Sequence, residues 1–475
     1  MRLFDPHARD YEVLYRTFHW DIPERYNIAR AICDRHPRDR VALYYENARG
    51  EETRYTFGQL ADWSSQLANV LDGLGVQRGD RVALVLPQRV EVGVAHLAIY
   101  KLGAIALPLS VLFGPEALAY RLEDSGARAV ITDRAHYPML EQLQKSHPEL
   151  GTLICCDPEP GALDFWELLG AASVDFDCTD TRADDPAILI YTSGTTGAPK
   201  GALDAHRCLL GNLTGFELSH NFLPQPDDLF WTPADWAWTG GLLDALLPAW
   251  HYGLPLLAFE SERFDPERAC TLLAKYRVRN AFIPPTALKR LVPLGNLSEH
   301  YGVDLRTLMS AGETVGEALV AWGQESLGLT INEMWGQTEC NYLVGNCSAI
   351  LPVRPGAMGR PYPGHVVDVI DAEGHVLGPG EQGELAVRRG DPVMCLGYWN
   401  RPEALEARCT GDWFRTGDVG VRDEDGYLWF VGRNDDVINS AGYRIGPGEI
   451  EDCLLRHPAV AQAAVIGVPD PERGE

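Results

Sequence analysis

Four hydroxyls, two glycines and a lysine fall within ten residues of this chain, where positions 191–200 read Tyr-Thr-Ser-Gly-Thr-Thr-Gly-Ala-Pro-Lys. Thr192, Ser193, Thr195 and Thr196 supply hydroxyl donors, and Lys200 supplies a cation. Gly194 and Gly197 permit backbone angles that let the main chain approach a ligand closely. Backbone N–H groups, hydroxyls and an ammonium converging on one loop make a phosphate site. A polar turn between elements is the bland alternative, and the density of donors argues against it. The stretch is not a Walker A sequence, because no Gly-Lys-Ser/Thr closes the glycine spacing, which disfavours an ordinary P-loop ATPase or kinase.

Further residues of the same kind recur downstream. Gly312, Glu313 and Thr314 offer exposed backbone groups that can frame a flat base, although Gly-Glu-Thr is also a common turn. In the run Trp335, Gly336, Gln337, Thr338 and Glu339, Thr338 can donate to a phosphate and Glu339 supplies the hard oxygen that Mg²⁺ prefers. A salt-bridged surface loop is the alternative there. Asp418 follows a tight glycine, and one carboxylate can accept from both hydroxyls of a ribose. Arg433 can reach the same sugar or a phosphate, and Arg444, after Gly442, adds one more cation. Taken singly, Asp418 and Arg433 would more often be an ordinary turn acid and a surface base.

The elements that must position these residues follow from hydrophobic patterning. Strands are expected over 81–86, 105–109, 129–132, 153–156 and 186–190. Helices between them are expected over 90–102, ended by Gly103, and over 116–125. A capping box, Thr56 with Gln59, opens another that stops near Gly73. The alternation predicts an α/β fold with a mainly parallel sheet covered on both faces. Strands over 280–283, 307–310 and 330–334 continue it, each ending in a loop where ligands of open α/β sheets gather. From about residue 357 the strands shorten (366–370, 383–388, 427–431), which predicts a small β-barrel-like subdomain within about 345–432. Residues 1–50 read as an arm packed on the larger body. The expected division is a large N-terminal domain, 1–432, and the start of an incomplete α+β C-terminal domain, 433–475, with a helix over 448–457 and a strand over 461–466.

Bulk composition narrows the function. The chain has 475 residues, too many for one compact core. It carries 41 basic against 67 acidic residues, a formal net charge of -26, which excludes a general nucleic-acid or anionic-membrane binder. Its 11 cysteines show no paired C-x-x-C spacing and read as reduced, mostly buried thiols. The most apolar stretches, 94–122 and 240–259, are interrupted by charges and prolines, so no membrane span is expected. A cytoplasmic location follows as an expectation; self-association stays open.

Together, and in this order, residues 192–200, 312–314, 335–339, 397–399 (Gly-Tyr-Trp), 413–418 and 432–444 resemble the acyl-adenylate-forming (AMP-binding) superfamily: acyl-CoA synthetases, beetle luciferases and the adenylation domains of peptide synthetases. Residues 231–238 and 442–446 look most like the acetyl- and medium-chain acyl-CoA synthetases. The resemblance implies an acid–thiol ligase using ATP, Mg²⁺ and coenzyme A on a carboxylic acid, in fatty acid metabolism. It implies that Thr192, Ser193, Gly194, Thr195, Thr196, Gly197 and Lys200 hold the β- and γ-phosphates. Gly312, Glu313 and Thr314 would line the adenine, with Trp335, Gly336 and Gln337 beside the nucleotide. Thr338 would touch the α-phosphate, Glu339 would bind Mg²⁺, and Asp418 and Arg433 would hold the ribose. Asp435 would be the hinge of a mobile C-terminal unit, Arg444 would assist phosphate binding, and Gly442 would lie near the CoA tunnel.

The same resemblance bears on the acid. Acetyl-specific relatives carry a bulky Trp where this chain has Gly336, so the pocket is expected to admit an acid longer than acetate or propionate. An aryl acid stays open. Trp236 and Trp238 are expected to wall the pocket, and Gly336→Trp to shift preference towards acetate. Family members carry a catalytic lysine several tens of residues past the point matching Gly474, and this sequence stops at Glu475, so a truncated chain is expected. Two alternatives remain: an adenylation enzyme that loads a carrier protein, and a non-catalytic AMP- or ATP-binding regulatory protein.

Overall fold

The computed structural model describes residues 2–475 apart from 148–149, 193–197, 261–262, 434–437, 442, 446–449, 451–453, 455–456, 458–459 and 461–463, and of Asn439 and Arg444 the backbone alone.

Local sequence sets the element ends. Gln59 N donates to Thr56 Oγ1 at 3.2 Å and Thr56 N to Gln59 Oε1 at 2.9 Å, so the predicted capping box starts the helix Phe57–Gly73. The helix Val90–Leu102 stops at Gly103, which takes the left-handed φ of 69° that side-chained residues resist. Every residue of that helix is buried.

Two sheets carry the molecule. In the eight-stranded sheet, Leu163–Asp164, Thr152–Cys155, Ala129–Thr132, Arg81–Val85, Ile105–Leu109 and Pro186–Thr192 run parallel in that spatial order. Lys200–Ala205 and then Gly397–Tyr398 add to its edge antiparallel. In the 14-stranded sheet, Val41–Glu46, Leu256–Phe259, Phe230–Trp231, Asn280–Phe282, Thr307–Ala311 and Ile331–Gln337 form a parallel half. From Cys340–Gly345 onward the same sheet turns antiparallel. One hydrophobic core takes side chains from both sheets, among them Leu84, Ala106, Leu43 and Leu256, and from the helices Val90–Leu102 and Cys208–Ser219.

The α/β expectation holds, with a larger antiparallel share than the alternation implied. The β-rich stretch is a wing of the second sheet: Ala357–Pro361, Leu428–Arg433, Trp413–Arg422, Gln382–Arg388 and Val367–Ile370. It has its own core of Val344, Val369, Val387, Phe414 and Leu428. Among the described residues its pairings form an open path rather than a closed barrel.

The N-terminal arm docks on this wing: Tyr11 Oη donates to Pro361 O at 2.7 Å, and Trp20 Nε1 to Gly364 O at 2.8 Å. Its last part is no arm, since Val41–Glu46 is a strand of the parallel half. The expected boundary after residue 432 falls at the end of the strand Leu428–Arg433. Beyond it, Ile438–Ser440 pairs with Tyr443–Ile445. The helix expected over 448–457 lies largely outside the described residues. Of the strand expected over 461–466, Ala464, Val465 and Ile466 are described and belong to no strand.

Candidate active site

The donor-rich stretch joins two antiparallel strands. Thr192 ends one and Lys200 begins the other, as cross-strand partners, and Thr192 Oγ1 donates to Lys200 O at 3.3 Å. Ser193, Gly194, Thr195, Thr196 and Gly197 lie outside the described residues. The Lys200 ammonium sits 5.5 Å from the ring centroid of Tyr398, within cation–π range. That contact arises because Tyr398 pairs with Ala202 on the next strand.

Tyr398 leads directly to the expected metal ligand. Its hydroxyl donates to Glu339 Oε1 at 2.6 Å, and Arg408 Nη1 lies 3.2 Å from the same oxygen and 2.8 Å from the Tyr398 hydroxyl. Burial is the main cause that pushes the Tyr398 phenol up, and the neighbouring Glu339 charge adds to it, so the ring keeps its proton to donate. Arg408 Nη2 is anchored on Thr416 O at 2.6 Å. Cys395 N donates to Glu339 O at 2.9 Å, which ties the backbone of the turn. Among the described residues Glu339 Oε2 has no hydrogen-bond partner. One carboxylate oxygen is thus held and the other is open, which fits a site for a hard divalent cation.

Asp418 is nine-tenths or more buried, and burial pushes its carboxyl above the usual range. Gln337 Nε2 and Trp335 Nε1 donate to its Oδ2 at 2.8 and 3.0 Å. Oδ1 lies 3.4 Å from Arg433 Nη1, and accepts no hydrogen bond. The Arg433 charge faces this oxygen without a well-formed hydrogen bond, which leaves it able to accept from a sugar hydroxyl. Trp335 and Gln337 belong to the strand Ile331–Gln337, so the expected strand runs through the motif rather than ending before it. Here both residues orient Asp418.

The neighbouring strand Thr307–Ala311 delivers Gly312, whose left-handed φ of 94° turns the chain outward. Glu313 accepts from Thr286 Oγ1 at 2.6 Å and lies 3.7 Å from Lys289 Nζ, and Thr314 is exposed.

Of the expected acyl-pocket residues, Trp236 is fully buried and Trp238 packs edge-on between the rings of Phe113 and Tyr443. Neither indole N–H has a hydrogen-bond partner. Gly336 needs a correction of emphasis. A Cβ there would stand 2.6 Å from Tyr342 N and 3.0 Å from Asn341 C, on the adjacent strand. Close backbone approach demands the glycine, so Gly336→Trp is a backbone lesion before it is a pocket filler. Thr338 Oγ1 is met instead by Thr239 Oγ1 at 3.3 Å.

Asp435 and Gly442 lie outside the described residues. Arg444 pairs with Asn439 in the terminal hairpin, and its side chain is likewise outside them. Sequence reasoning passed over Arg408 and Thr239 and gave Tyr398 no role, although Gly397-Tyr-Trp399 was among the motifs of the resemblance.

The AMP-binding enzyme family matches residues 29–399, more than half of the chain, and its C-terminal domain family matches 449–475. The chain belongs to the AMP-binding enzymes. Similar members include an acyl-coenzyme A synthetase ACSM2, mitochondrial, of Rattus norvegicus, 34% identical over 98% of this chain and 85% of that protein. The acetyl-coenzyme A synthetase of Bacillus subtilis is 33% identical over 99% and 85%. Among AMP-binding enzymes of known structure, the Brucella canis acyl-CoA synthetase superposes with a TM-score of 0.82, at 32% identity over 98% of this chain and 88% of that one. The anthranilate CoA ligase AuaEII in complex with anthranoyl-AMP gives 0.80 at 29% identity, over 95% and 86%.

Proposed function

We propose that this AMP-binding enzyme is an ATP-dependent acyl-CoA synthetase that activates a short- or medium-chain carboxylic acid larger than acetate. The observation that carries the reading is the convergence on Glu339: Tyr398 holds it at 2.6 Å and stands against Lys200, at the base of the donor-rich loop. Similarity to acyl-CoA and acetyl-CoA synthetases supports the same reaction.

The roles follow the geometry. Thr192 and Lys200 flank the loop that takes the β- and γ-phosphates. Thr338 reaches the α-phosphate, with Thr239 holding its hydroxyl. Glu339 Oε2 is the oxygen for Mg²⁺, which when bound neutralises the triphosphate so that a carboxylate can approach. Asp418 Oδ1 accepts from the ribose and Arg433 attends it, while Gly312, Glu313 and Thr314 border the adenine. Trp236, Trp238 and Gly336 border the acid. Arg444, Asp435 and Gly442 keep the phosphate, hinge and CoA roles that the family resemblance implies, with 433–475 as part of a mobile unit.

The acid's carboxylate oxygen attacks the α-phosphorus and pyrophosphate leaves, giving an acyl-AMP. The CoA thiol then attacks the acyl carbon, losing its proton, and AMP leaves with the thioester formed. Cations around the triphosphate are needed because two anions must meet.

No described helix is long and apolar enough to cross a membrane. The ten described cysteines are free thiols, most of them buried, which suits a reducing compartment, and we assign the cytoplasm. Carboxylate-dependent exchange of pyrophosphate into ATP tests the reading, over C2 to C12 and aryl acids. Exchange with C4 or longer acids and CoA thioester formation are expected; no exchange with any acid would remove the proposal.

A further inference from the structure

One buried carboxyl close to Thr338 is unused by the nucleotide chemistry. Thr239, whose hydroxyl meets that of Thr338, starts the helix Thr239–Gly241, which passes into a π-helical turn, Leu242–Leu246. Such turns frequently mark functional sites. Asp244 lies on this turn, four residues past Gly240 and on the same face of the helix. It is 3% exposed. Asn341 Nδ2 donates to its Oδ1, and among the described residues Oδ2 has no hydrogen-bond partner.

Gly240 governs access to that oxygen. A Cβ at Gly240 would lie 3.8 Å from Asp244 Oδ2 and 2.8 Å from the Phe282 ring, so any side chain there would cover the carboxyl. Among the described residues no cation faces it: the phenols of Tyr342 and Tyr362 feel its charge, and the Phe282 ring closes the Gly240 side. A carboxyl with one amide partner in such surroundings costs stability that a leucine would not. The cost is explained if a ligand completes the hydrogen bonding.

We propose that Asp244 is a specificity residue of the acyl pocket, and that the acid carries an O–H or N–H donor at its far end which meets Oδ2. The inference rests on the proposed function, in that Thr338 marks the reacting phosphate. The five residue steps from Thr239 to Asp244 advance about 7 Å, which suits a donor on an acid of about four to six carbons. Burial holds the Asp244 carboxyl well above its usual range. A hydroxyl can donate to Oδ2 or accept its proton, so it meets the carboxyl in either state, whereas an ammonium requires it ionised.

The test compares valerate, 5-hydroxyvalerate and 5-aminovalerate, with their four-carbon counterparts, as substrates of the full chain in pyrophosphate exchange. The donor-bearing acid should exceed its plain counterpart about 10- to 100-fold in kcat/KM, the scale of one buried hydrogen bond. Asp244→Leu should reverse that order, and Asp244→Asn should lessen the preference while keeping the shape. Melting curves and ATP binding verify that each variant is folded. A preference for valerate in the parent, or an unchanged ratio in Asp244→Leu, overturns the proposal. If no acid supports exchange, the ligase reading itself fails. Acid-dependent shifts in melting temperature then decide on Asp244 alone, and equal shifts for plain and donor-bearing acids overturn it.

Discussion

Asp418 and Arg433 face each other across two antiparallel strands, with Oδ1 and Nη1 3.4 Å apart and no other residue bonded to that oxygen. The carboxyl is therefore an acceptor held ready in a dry place. Asp418→Asn keeps the shape and the hydrogen bonds to Oδ2 but weakens acceptance at Oδ1. ATP and AMP binding should weaken about 10- to 100-fold, with the melting temperature close to that of the parent. Calorimetric titration with AMP checks this, and unchanged affinity would remove Asp418 from the ribose site.

Glu339 should behave differently. Glu339→Gln loses the charge that a divalent cation needs while keeping acceptors for Tyr398 and Arg408. Exchange activity should fall at least about 100-fold, and AMP binding should stay within about threefold. An exchange rate equal to the parent's at saturating Mg²⁺ would exclude the assignment.

Tyr398→Phe removes only the hydroxyl that pins Glu339 Oε1. The Mg²⁺ concentration for half-maximal exchange should rise about 3- to 10-fold, the kcat at saturating Mg²⁺ should change less, and binding of metal-free AMP should not move. An unchanged Mg²⁺ requirement would show that the hydroxyl does not position Glu339, since the ring contact with Lys200 survives in the variant.

Gly336→Ala places a methyl within 2.6 Å of Tyr342 N, so the strand pair must part. A loss of about 1–3 kcal/mol in urea unfolding is expected, before any change in acid preference is read. Stability equal to the parent would return Gly336 to a pure pocket role.

Glu333 is buried with one backbone donor, Val315 N at 3.1 Å, and burial pushes its carboxyl up to about 8. The folded form thus holds a proton that the unfolded chain releases above its ordinary value of 4.5. This contribution to stability is full below pH 4.5 and is lost as pH rises towards 8. Glu333→Gln should flatten that decline, gaining at least about 1 kcal/mol over the parent near pH 8. Parallel stability–pH curves for the two proteins would refute it.

What the sequence disclosed depended on where each signal is stored. Strand-helix alternation and caps are local, so the helix Val90–Leu102 and its Gly103 stop were legible residue by residue. So was the ordered set of motifs, because phosphate, metal and ribose chemistry each require particular residue types. The Glu339 cluster was not legible. Tyr398 and Arg408 stand 59 and 69 residues away in the chain, and only the sheet edges bring them back. Gly336 carried a pocket signal that the adjacent backbone also explains. Val41–Glu46 was lost in a polar, aromatic stretch because it is only partly buried.

Tyr398 belongs to the edge of one sheet, while Cys395, three residues earlier, donates its N–H to Glu339 in the turn that joins two strands of the other. This short segment is a strut between two independently hydrogen-bonded layers, and the distance from Lys200 to Glu339 is set by how the layers are aligned. Thermal inactivation should therefore be governed by the layers sliding apart, rather than by fraying at the surface. Heat tolerance of the activity would then be gained by cross-bracing the two layers, with the residues of the strut itself left unchanged.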